Sequence, residues 1–126
     1  QQFIYSLRRM LDPIKEHVDN NFNPLPTEYI NEFMPIRQKI NDLMKMSCEQ
    51  IETSRYENYR EILAEADACK DELSVLRKKH IDRLQNMKDN TLMQISLVYL
   101  NVLQESQEFL SVMRHQLRAA KKFMVN

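Results

Sequence analysis

The chain has 126 residues, with 18 lysines and arginines balancing 18 aspartates and glutamates, two cysteines, eight methionines and no glycine. That length suits a single domain with one core. The missing glycine excludes the phosphate-cradling loops and dinucleotide folds that need φ > 0 at fixed positions, and the balanced charge leaves no net field to draw the domain to nucleic acid or an anionic membrane.

At the N-terminus, Phe3, Ile4, Leu7, Met10, Leu11, Ile14 and Val18 recur at helical spacing, so a helix is expected over 3–18, with Pro13 inside it. There is no initiator Met and no signal-peptide pattern, so the chain is expected to be a domain cut from a longer protein. Asn20, Asn21, Asn23, Pro24 and Pro26 then mark a loop. A second helix is expected from about Thr27 to Glu52. Its seam is Phe33, Ile36, Ile40, Leu43, Ser47 and Ile51, and Pro35 either marks a start near Asn31 or bends the helix.

Ser54 and Glu57 have capping-box spacing and are expected to open a third helix, with seam Tyr59, Ile62, Ala66, Cys69, Leu73, Leu76, His80, Leu84 and Met87. Asn90 is expected to cap a fourth, with seam Leu92, Ile95, Tyr99, Leu103, Ser106, Leu110, Met113, Leu117, Ala120 and Met124. The last two helices are each expected to run roughly 33 residues, or about 50 Å. Short connections make neighbours antiparallel, so the expected fold is an all-α, up-down bundle of three long helices plus the N-terminal one, a single domain over 1–126.

Charge supports the last hairpin. Acids at Glu57, Glu61, Glu65, Asp67, Asp71 and Glu72 face a basic run at Arg114, Arg118, Lys121 and Lys122, and a turn near Asp89 sets Arg118 by Glu61 and Arg114 by Glu65. Both Cys48 and Cys69 fall on apolar patterns and are expected to be buried free thiols. A turn near Ser54 would set Cys69 opposite about Gln38, roughly 15 Å along the axis from Cys48.

No catalytic apparatus is apparent. His80 occupies a core position, His17 and His115 have no partners at zinc-ligand spacing, and no Gly-x-Ser-x-Gly elbow exists without glycine. The chain is therefore expected to bind or regulate, not to be an enzyme. Asp67 and Asp71 share a helix face and are candidate ligands for a divalent metal, or else part of a solvated acidic face. The stretch Leu92 to Leu103 is too short and too interrupted to span a membrane, yet it is apolar on more than one side. Leu92, Leu97, Val98 and Leu100 there are the candidate interaction surface, unless the stretch is simply the most buried part of the bundle.

The segments DACKDELSVLRKKHIDR, Asp67 to Arg83, and SLVYLNVLQESQEFLSVMRHQLRAAKKF, Ser96 to Phe123, resemble the PhoU-like helical domain at the cytoplasmic C-terminus of bacterial phosphate transporters. EHVDNNFNPL, Glu16 to Leu25, is similar to what precedes that domain in permeases of the inorganic phosphate transporter and sodium-phosphate cotransporter types. The resemblance implies a regulatory domain on the cytoplasmic side of the inner membrane that modulates phosphate uptake. Its partner is then the transmembrane part of its own parent permease, or a second copy in a homo-oligomer. Domains of this kind carry two Glu/Asp-x-x-x-Asp motifs for a metal cluster. Asp67 and Asp71 match the first, whereas Gln107 and Ser111 stand where the second would have acids. The alternative is a structural dimerisation or spacer bundle of an unrelated protein.

Overall fold

The computed structural model describes residues 25–125, and all the regular structure in that range is helical: α1 (Thr27–Thr53), α2 (Tyr59–Leu84) and α3 (Asn90–Val125). The helix expected over 3–18, and the loop after it as far as residue 24, lie outside the described residues. The expected all-α helical bundle is what the three helices form.

α1 starts at Thr27 and runs unbroken through Pro35 for 27 residues. Proline has no N–H to offer the Asn31 carbonyl, but both residues are exposed, so water can satisfy that oxygen. The helix closes at Ser54, which adopts the left-handed conformation (φ 54°, ψ 29°); its N–H meets the carbonyls of Gln50 and Ile51, and the Arg55 N–H meets Gln50 at 3.2 Å. Glycine usually fills this position, and this chain has none.

The capping box expected at Ser54 and Glu57 does not form. Ser54 is used to close α1, and α2 begins after Asn58 with no side-chain cap. α2 then stops at Leu84, earlier than expected, and residues 85–89 turn the chain. The Asp89 carboxylate, not Asn90, caps α3, accepting the N–H groups of Thr91 at 2.9 Å and Leu92 at 3.4 Å. A carboxylate there also complements the positive end of the helix dipole. The two helices have 26 and 36 residues, not equal lengths.

Cross-helix bonds fix the topology. The pairs Glu28–Arg83, Glu32–Lys79 and Lys39–Glu72 share one residue-number total, 111, so α1 and α2 are antiparallel. Asp67–Arg114 and Ser74–Gln107 both total 181, so α2 and α3 are antiparallel as well. Tyr29–Ser96 and Glu32–Tyr99 keep a constant offset of 67, so α1 and α3 run parallel. Arg114 therefore meets Asp67, two residues from the expected Glu65, because the α2–α3 register total is 181 and not 179. By the same reasoning Cys69 lies opposite Asp42, six residues or about 9 Å from Cys48. Both cysteines are free and buried.

The core follows the seams. Phe33, Leu43, Ile62, Ala66, Cys69, Leu73, Tyr99, Leu103, Leu110, Met113 and Leu117 are all essentially inaccessible to solvent. At the end where α2 begins and α3 finishes, the Lys121 ammonium sits over the Tyr59 ring, 4.2 Å from its centroid. At the opposite end the core becomes polar.

Candidate functional site

That polar end is built by all three helices. α1 supplies Tyr29 and Glu32, one turn apart; α2 supplies Lys79 and His80; α3 supplies Ser96 and Tyr99, again one turn apart. The tyrosine rings stack, 4.6 Å apart at 9°, and the His80 ring meets both edge-on, at 5.0 Å from Tyr29 and 4.8 Å from Tyr99.

Glu32 is the hub. Its Oε1 lies 2.6 Å from His80 Nε2 and accepts the Tyr99 hydroxyl at 2.9 Å, while Oε2 accepts Lys79 Nζ at 3.2 Å. Beside it the hydroxyls of Tyr29 and Ser96 are 2.9 Å apart. Partial burial pushes the Glu32 pKa up, but hydrogen bonds from His80, Tyr99 and Lys79 outweigh it, and the carboxyl is held below its ordinary value. Burial, and then the Glu32 charge, push the Tyr99 phenol far up, so it stays a protonated donor. His80 is fully shielded from water, and its Nδ1 is buried without a hydrogen-bond partner. A polar atom left unsatisfied in such a place costs about 1–3 kcal/mol.

The candidate interaction residues do not form one face. Leu97 is 48% exposed on the side of α3 turned from the core, and Leu100 lies half-buried on the flank beside α2, one turn from Gln104 and two from Gln107. Val98 packs against the core. Leu92, 40% exposed, is on the core-facing side, seven residues before Tyr99, at the first turn of the helix.

The metal candidates are placed differently again. Asp67 and Asp71 are both exposed on α2, and Asp67 receives Arg114 Nη2 at 2.9 Å, so a cation already occupies that carboxylate. Gln107, where the second metal motif would have an acid, instead ties the hairpin: it donates to the Lys70 carbonyl and the Ser74 hydroxyl and accepts from Arg77. Among the described residues no three metal-ligating side chains come together.

No known family model, curated protein or solved structure matches the chain. A groove of about 660 Å³ lies between α1 and α2, with Leu43, Met46, Ala68 and Cys69 on its floor and Lys39 and Glu72 bridging its rim at 2.9 Å. Burial pushes the Cys69 thiol up to about 11, which keeps it protonated and unreactive near neutral pH. No helix among the described residues is long and apolar enough to cross a membrane.

Sequence reasoning placed His80 in the core but missed its partner Glu32. A signal was available, since Glu28 and Glu32 repeat at four residues, as do Lys79 and Arg83, and antiparallel helices bring those pairs into register.

Proposed function

We propose that the chain is a non-catalytic regulatory domain that works by packing its helices against a partner, in the setting of a phosphate permease of the type its sequence resembles. The observation that carries this reading is Leu97. A helix whose inner face already buries Tyr99, Val102 and Leu103 also shows a large apolar side chain nearly half-exposed on its outer face, with half-buried Leu100 on the adjoining flank. A helix apolar on both sides is suited to burial on both sides. The resemblance over Asp67–Arg83 and Ser96–Phe123 supplies the setting: a cytoplasmic domain docked on its own permease, or paired with a second copy, modulating phosphate uptake. On this reading Asp67, held by Arg114 at 2.9 Å, ties α2 to α3.

Leu97→Glu is the direct test. It leaves the core untouched, so stability is expected to stay within about 0.5 kcal/mol of the starting protein, while regulation of phosphate uptake by the parent permease is lost. A folded Leu97→Glu variant with normal regulation would remove Leu97 from the docking surface. Flanking coding sequence without transmembrane helices would exclude the permease altogether. Val98→Glu is a poor substitute, because Val98 packs against the core.

A further inference from the structure

α2 covers one side of the α1–α3 pair. Glu28, Glu32 and Lys39 reach it from α1, and Gln107 and Arg114 reach it from α3. On the side turned away from α2, each of the two helices carries a second seam at alternating steps of four and three. On α1 it is Ile30, Met34, Arg37, Asn41, Met44 and Cys48; on α3 it is Val98, Val102, Glu105, Phe109, Val112 and Gln116. Val102 serves the core as well. Four positions in each seam are apolar, and most of these are sheltered: Cys48 is 6% exposed and Phe109 2%, while Ile30, Met44, Val98 and Val112 are partly buried against the core.

α1 and α3 run parallel with an offset of 67, and that sets the two seams side by side. Ile30 comes level with Val98, Asn41 with Phe109 and Met44 with Val112, each within one residue of that offset. The two seams therefore form one apolar groove along the α1–α3 pair. In an up-down bundle this is the position of a fourth helix, antiparallel to both. We propose that residues 3–18 of this same chain fill the groove and close a four-helix bundle.

Length and connection fit that occupant. As a helix, 16 residues span about 24 Å, against about 27 Å from Ile30 to Cys48. Eight residues, 19–26, join the segment to the start of α1, within the roughly 2–8 that connect neighbouring helices of a bundle, so the segment turns back along α1. Its pattern fits too. Phe3, Leu7, Met10, Leu11, Ile14 and Val18 keep helical spacing, with Arg8, Arg9, Asp12, Lys15 and Glu16 between them. The α1–α2 side suits such a segment poorly, because the ion pairs Glu28–Arg83, Glu32–Lys79 and Lys39–Glu72 run along it over the same stretch of α1. Leu97 is not part of either seam, so closing the groove leaves the proposed docking surface open.

A turn centred between residues 22 and 23 sets the register. Ile14 comes level with about Ile30 and Val98, Leu11 with about Met34 and Val102, and Phe3 with about Met44 and Val112. Nuclear Overhauser contacts between side chains, measured by NMR on the whole chain, test this directly. Cross-peaks are expected from Ile14 to Val98, from Leu11 to Met34 and Val102, and from Phe3 to Met44 and Val112. Cross-peaks from residues 3–18 to Leu63, Leu76 or Val75 of α2 in their place would overturn the proposal, as would the lack of any contact between residues 3–18 and α1 or α3. A sample mixing isotope-labelled and unlabelled chains separates the remaining case: if Val98 and Val112 make their contacts only between chains, a second copy covers the groove and the proposal fails.

Discussion

Replacing Tyr99 with Phe isolates one bond of the polar cluster. The ring stays fully buried and can still stack on Tyr29 at 4.6 Å, so no cavity opens; what is lost is the hydroxyl that donates to Glu32 Oε1 at 2.9 Å. A hydrogen bond to a charged acceptor is worth about 1.5–3 kcal/mol, but Glu32 keeps His80 and Lys79 and is partly hydrated, so we expect a loss of about 1–2 kcal/mol. Urea unfolding at pH 7 should show a lower midpoint with an unchanged slope. A second consequence has a fixed sign. Glu32 is held below its ordinary value of 4.5, so its contribution to stability is present above that pH and disappears as pH falls through the lower folded-state value. Losing the Tyr99 donor brings that value back up, and the acid-side loss of stability should begin at higher pH in Tyr99→Phe. A double-mutant cycle with Glu32→Gln should return a coupling of about 0.5–3 kcal/mol. A Tyr99→Phe variant within about 0.3 kcal/mol of the original protein, with an unmoved acid limb, would refute the assignment of Glu32 as the hub.

Two further changes probe the scaffold. Ser54→Gly should stabilise the domain by about 0.5–1 kcal/mol, because the left-handed conformation that closes α1 costs a serine more than a glycine, partly offset by the greater freedom of glycine when unfolded; thermal unfolding would show it as a rise of a few degrees. Leu110→Ala, in the middle of α3 and fully buried, should cost about 2–5 kcal/mol in the same measurement, several times the effect of any exposed leucine on that helix.

Periodicity carried most of the fold. Phe33, Ile36, Ile40, Leu43, Ser47 and Ile51 on α1 are all buried as their spacing requires, the serine included, where it bonds back to the Leu43 carbonyl at 2.8 Å. A helix's own period says which side faces inward, whatever its neighbours do. It says nothing about how far one helix slides along the next, and that is where the reading of the sequence fell short. The α2–α3 pairing sits two residues from the expected register and gives Arg114 to Asp67.

The candidate site was hidden for the same reason. Glu32 stands one residue before Phe33 in the seam and looks like a solvated boundary residue until α2 is placed beside it, 48 residues on, with His80 at hydrogen-bond distance. Leu97 was visible as an apolar residue off the seam, whereas its separation from Val98, which packs inward, depends on how α1 and α2 cover α3. Features that belong to one helix were legible, and features shared between helices were not. The exception is the ladder Glu28, Glu32, Lys79 and Arg83, whose matched four-residue steps encode a register between two helices. One rung of that ladder, Glu32, is also the hydrogen-bond partner of His80 at 2.6 Å, so a charge that aligns α1 with α2 also anchors the only histidine buried among the described residues.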